Sequence, residues 1–265
     1  MVLRTYRVVN EDLVRQLALQ LGLPVNVETA TESEVRGGIA NFGGARRKSQ
    51  KTSSRSLNDP RLLEEIVEGL RNREQLKAHR PRRRRDLPDR TTFIHEINVE
   101  GTPVYLPVKE ESGLPPGITG LTVWVFEPLG QELGFIDSEP DGSWAWDWIG
   151  TYLFIVEEHV YNPERAYCCS GISALRLLVD VVAGHDVSLR ANPLEYRGRD
   201  QYGRDDPAHP IDKLRRVGGT PLRPRSVEIV YRVAVMTDEQ ATTIGGREIR
   251  LNDILAYPLY IAESK

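Results

Sequence analysis

The sequence predicts an α+β fold: a small N-terminal strand and helix region, then a mostly antiparallel-sheet domain with one main helix. Three observations predict it. The chain opens on a short strand pattern that passes into an amphipathic helix. From Thr91 onward the signal is mainly β, with period-2 alternation over 93–99 and 227–235. No regular βαβ alternation and no internal repeat occurs, which argues against a doubly wound parallel sheet.

The elements follow in order. Val2 to Val9 reads as a strand. Asn10 is a suitable cap for the next helix, whose apolar face is Leu13, Val14, Leu17, Ala18 and Leu21. Gly22 and Pro24 stop it. Residues 26–58 are rich in Gly, Ser, Thr and charge and are expected to form a mobile insert. Asp59-Pro60 starts a second helix with the face Leu62, Leu63, Ile66, Val67 and Leu70. Gly69 should weaken it, and it should run toward Leu76. Residues 80–90 contain four consecutive arginines and two prolines and read as an exposed Arg-rich linker. The expected organisation is thus 1–79, the linker 80–90, and an α+β domain over 91–265.

In that domain Phe93, His95, Ile97 and Val99 share one strand face. Glu100-Gly101 is expected to turn the chain into a partner strand, Val104 to Val108. Pro103 and Pro107 mark that partner as an edge strand. Leu121 to Phe126 and Tyr152 to Glu158 are further strands. Ser173 to Ala183 is the main helix. Ile211 to Val217 suits a short one. Val227, Ile229, Tyr231, Val233 and Val235 alternate as a strand, and Ile254 to Ile261 follows as the last, again an edge because of Pro258.

The pattern Asn10-Glu11-Asp12-Leu13-Val14-Arg15-Gln16-Leu17, then a Ser/Gly-rich charged insert, then Asp59-Pro60, resembles the beginning of an uncharacterised bacterial protein family. The resemblance spans roughly the first 70 residues. It implies no established activity and no site residues.

Charge is distributed unevenly. The 265 residues carry a net charge of -3, but residues 36–90 alone are +9 and the remainder is -12. Arg46, Arg47 and Lys48, with Arg82, Arg83, Arg84 and Arg85, are the candidate polyanion-binding residues, because arginine's planar fork pairs with phosphate oxygens. Nucleic acid is one partner for them. The acidic 91–265 half, with a net of -10, within the same chain or a second copy, is favoured over it, and a solvated linker is a third reading.

The remaining chemistry is sparse. Gly38-Ile39-Ala40-Asn41-Phe42-Gly43 has P-loop glycine spacing, yet Gly44 and Ala45 stand where Lys and Ser/Thr are required. Five scattered histidines and the adjacent Cys168-Cys169 make no metal-ligand spacing, so no metal and no cofactor are expected. The catalytic candidates are Glu157 and His159, two apart on a strand and so on one face, with Cys168 as a thiol that His159 would activate and His185 as a further base. Against them, Glu157 to His159 also reads as a solvated strand end, and the cysteines as buried thiols. Asp137, Glu139 and Asp141 read as a turn, and Trp144, Trp146 and Trp148 as sheet core.

These features point first to a non-enzymatic cytoplasmic binding or regulatory protein that acts through a protein surface or its basic segment. The alternatives are a hydrolase or nuclease-like enzyme with an unfamiliar acid/base site, and a component of a bacterial defence or stress system. Two adjacent cysteines suit a reducing compartment. No apolar run reaches the roughly 20 residues that cross a bilayer, so no membrane partner is expected.

Overall fold

A computed structural model describes residues 4–25, 55–81, 86–108, 114, 117–128, 151–158, 167–168, 173–182, 208–244 and 247–264. The chain divides into two compact units, Asn10–Arg73 and a larger one made of Met1–Val9 with Glu74–Lys265.

The smaller unit holds helices α1 (Glu11–Leu21) and α2 (Pro60–Asn72). The Asn10 side chain accepts the Leu13 N–H at 3.0 Å, and Gly22 ends α1 in the left-handed region at φ 73°. Asp59 caps α2 by accepting the Arg61 N–H at 2.9 Å, with Pro60 in the first turn. The expected apolar faces are the buried ones. Gly69 has a packing role: a Cβ there would lie 2.8 Å from both Leu21 methyls, so glycine lets that side chain approach α2. Helix α2 stops at Asn72 rather than reaching Leu76, since Glu74 takes a positive φ of 59°. Of the insert, 26–54 lies outside the described residues; Arg55 makes an isolated parallel bridge to Val25.

The larger unit is a sheet in which five strands close into a ring. They are β3 (Phe93–Pro107), β4 (Gly120–Phe126), β5 (Thr151–Val156), β8 (Arg225–Ile244) and β9 (Arg247–Ser264). The order is β3-β4-β5-β9-β8, and β8 returns to β3. Every neighbouring pair in the ring is antiparallel except β5 with β9. Strand β1 (Arg4–Val9) joins the far half of β9, β2 (Leu76–Lys77) and β7 (Thr220–Pro221) add to β3, and β6 (Tyr167–Cys168) pairs with β8. Both strands and helices are present and sheet dominates, consistent with an α+β class.

The two faces of the ring strands carry separate apolar clusters. One holds Ile94, Trp124, Phe126, Leu153, Ile229 and Tyr231. The other holds Val104, Val123, Phe154 and Leu255, and receives α3 (Ala174–Val182) together with Leu214 of α4 (Pro210–Arg216). This is why all six residues of β5 are buried: each face has a core. Ser173, Thr237 and Asp253 secure the start of α3. Ser173 Oγ accepts the Arg176 N–H at 3.1 Å, Thr237 Oγ1 accepts that of Ala174 at 2.9 Å, and Asp253 accepts that of Leu175 at 3.2 Å.

Several expectations are corrected here. No turn forms at Glu100-Gly101; β3 runs through as one 15-residue strand. Gly101 is needed because the Phe126 ring lies against it, leaving no space for a Cβ. A bulge between Glu96 and Val99, with Asn98 at φ 56°, breaks the alternation and leaves Ile97 57% exposed. Neither proline-bearing strand is an edge. Pairing of β3 with β8 ends at Gly101 and pairing with β7 begins at Val104, so Pro103 falls between two neighbours. On β9, pairing with β5 ends at Ala256 and with β1 begins at Tyr260, and Pro258 again falls in the gap. A residue without an N–H fits where no partner strand asks for one. Among the described residues no helix is long and apolar enough to cross a membrane.

Candidate functional site

The sheet unit holds charged groups below its surface. Arg80, expected in an exposed linker, is 4% exposed, and Pro81 is buried. Its Nη2 donates to Glu96 Oε2 at 2.7 Å, while Nε reaches both oxygens of that carboxylate at 3.1 and 3.2 Å. Nη1 donates to the carbonyls of Glu127 and Thr151, each at 3.2 Å. Tyr231 completes the group by donating its hydroxyl to Glu96 Oε1 at 2.6 Å. Burial pushes the Tyr231 hydroxyl well above its ordinary value, and the Glu96 charge adds to that, so it stays a donor. Thr151 Oγ1 donates to the Pro81 carbonyl at 2.8 Å, which pins the chain at the residue before Arg82. On the far side of the arginine run, Leu87 packs on the Ile94 cluster and Pro88 is buried.

A second group centres on Glu228 of β8. Arg4 Nε donates to its Oε2 at 2.6 Å, Tyr260 donates to Oε1 at 2.7 Å, and His95 Nε2 lies 2.9 Å from the same oxygen. Burial alone would raise this carboxyl; the hydrogen bonds from His95, Tyr260 and Arg4 overcome it and hold the group down at about 2. It is an ionised tie between β1, β3, β8 and β9.

A third group sits where β5 ends. Glu157 accepts the Trp124 Nε1–H at 2.5 Å. Glu158 accepts the backbone N–H of Thr122 at 2.7 Å, and its other oxygen is buried with no hydrogen-bond partner. Burial raises both carboxyls, that of Glu158 to about 7. A carboxyl with that affinity exchanges a proton near neutral pH, which is the property general acid/base work requires.

Glu157 thus lies half-buried against Trp124 rather than as a freely solvated strand end. His159, His185, Arg46, Arg47, Lys48 and Arg82 to Arg85 lie outside the described residues. Cys168 is placed only by its strand position, in register with Met236. The sequence reading overlooked Glu158, Arg80, Glu96 and Glu228. Glu228 shares an alternating strand with apolar residues, a signal that was available; nothing local marked Arg80 among its neighbouring arginines. Among the described residues no group of three or more His, Cys, Asp or Glu side chains is arranged to hold a metal ion. Comparison of the chain with protein-family models, with curated proteins and with solved structures gives no match.

Proposed function

We propose that this is a binding protein rather than a catalyst, and that its ring of strands presents the Arg82–Arg85 run to a polyanion, single-stranded nucleic acid being the first choice. The observation that carries this is the anchoring on both sides of the run. Arg80 and Pro81 are fixed inside the sheet unit, and Leu87 and Pro88 are packed again after only a few residues. Four arginines between two buried anchors lose less freedom on binding than four in a long free tail. Burying Arg80 with Glu96 also sets its charge apart from that of the arginine run that follows.

Topology supports the same reading by analogy alone. A ring of five strands, β3-β4-β5-β9-β8 with β5 and β9 parallel, is a small barrel, an architecture that elsewhere binds oligonucleotides and oligosaccharides.

Fluorescence anisotropy with a labelled single-stranded oligonucleotide tests the proposal. Binding should weaken steeply with salt, and replacing Arg82 to Arg85 by alanine should weaken it and flatten the salt slope. An absence of binding at low salt, or binding indifferent to the four substitutions, would refute it.

A further inference from the structure

Glu158 completes a strand ladder with its side chain. Antiparallel pairing of β4 and β5 continues one step beyond Val156, where the Glu157 N–H donates to the Thr122 carbonyl at 3.0 Å. The next demand on that edge is the Thr122 N–H. The chain has by then turned away, and Glu158 Oε1 takes the position a backbone carbonyl would hold, at 2.7 Å. Its Oε2 is enclosed and unpartnered. As a carboxylate, this half-buried group bears a negative charge that hydrogen bonds from Thr122 and its own backbone offset only in part; as a neutral acid it avoids that cost and keeps Oε1 as the acceptor.

The surroundings do not neutralise it. From its own segment Glu157 contributes a second negative charge. Strand β4 contributes Trp124 and Thr122, neither of which titrates, although hydrogen bonds from Thr122 to the carboxylate offset part of its burial. Arg7 of β1 acts on Glu157, and it is itself held by Glu263 of β9 at 2.5 Å. Among the described residues no cation pairs with Glu158.

We propose that Glu158 is a proton-linked latch: in its neutral form it holds the end of β5 onto β4 at Thr122, and ionisation releases that end. The proposal stands apart from the polyanion reading. Burial, with a contribution from the Glu157 charge, pushes the carboxyl up to about 7 against an ordinary 4.5. The closed form therefore holds its proton more tightly than an open form in water. Closure is strongest below 4.5, weakens as pH rises toward 7, and changes little above that, where both forms are ionised.

Backbone amide exchange at Thr122, followed by NMR from pH 5 to 8 and corrected for intrinsic exchange, tests this directly. Protection should fall by up to about tenfold per pH unit and level off above 7. The Glu158 side-chain carboxyl carbon should titrate in the same range. Glu158→Gln, which keeps an acceptor oxygen without a titrating proton, should make Thr122 protection independent of pH. Glu157→Gln should move the midpoint down by removing the neighbouring charge. Thr122 protection that does not vary with pH in the unaltered protein, or a Glu158 carboxyl titrating near 4.5, overturns the latch. Both readouts use the native chain, so they decide the matter even where Glu158→Gln does not fold.

Discussion

The guanidinium of Arg80 and the carboxylate of Glu96 face each other inside the sheet unit, Nη2 to Oε2 at 2.7 Å, with 3% and 4% of their side chains exposed. Each closes the other's charge, and the Glu127 and Thr151 carbonyls with the Tyr231 hydroxyl take up remaining hydrogen-bonding capacity. Removing one partner leaves the other buried and unpaired. Arg80→Met should cost about 3–5 kcal/mol in urea unfolding. Tyr231→Phe, which removes one hydroxyl from the same carboxylate, should cost about 1–3 kcal/mol. Adding Glu96→Leu to Arg80→Met should recover part of the loss, and an additive double variant would contradict the pairing.

Glu228 sets an acid limit. Its folded carboxyl is held at about 2, below the ordinary 4.5. The stability it supplies is complete above 4.5 and is lost as pH falls toward 2. Thermal unfolding of Glu228→Gln should therefore show a lower midpoint at neutral pH and a shallower decline between about pH 4.5 and 2 than the unaltered protein.

Helix α3 depends on acceptors from the sheet. Ser173→Ala removes the hydroxyl that accepts the Arg176 N–H and should cost about 1 kcal/mol. Asp253→Ala should cost more, because Ser173, the Leu175 N–H and Thr237 all bond to that buried carboxylate. Equal effects of the two substitutions in chemical denaturation would deny Asp253 its central place.

Position 101 tolerates no side chain. The Phe126 ring occupies the space a Cβ would need, so Gly101→Val should destabilise by about 1–3 kcal/mol. Pairing it with Phe126→Ala should relieve the overlap; if the double variant is no better than the sum of the singles, the contact is not the cause.

Helices α1 and α2 were legible because their signals are local: Asn10 and Asp59 as caps, Gly22 as a stop, and apolar residues at helical spacing. Of the ring strands, β3 and β8 were legible from alternation, and β4 and β5 from short apolar runs. The edge assignments made from Pro103 and Pro258 failed for a non-local reason, whereas Pro107 lies where only β4 pairs with β3. A proline excludes one hydrogen bond at one place, and strands that exchange neighbours along their length provide such places. Arg80 was hidden for a related reason. Burial of a charge depends on a partner supplied by another strand, and Glu96 lies on β3 beyond the arginine run. Glu157 was visible as a titratable residue near a strand end, but the Trp124 indole that defines its surroundings comes from β4.

The position of β9 has a consequence for the order in which this sheet is made. Strand β9 borders β1, β5 and β8, and it follows all three in the chain. Arg4 pairs with Ser264, so β1 waits for a neighbour that is far along the chain. During translation the chain therefore emerges with unfilled strand edges, and the ring closes only after the β8–β9 hairpin has left the ribosome. Contacts this distant in sequence slow folding and expose the intermediate to edge-to-edge association. Productive folding of the larger unit should thus wait for β9 and be sensitive to how well nascent edges are shielded.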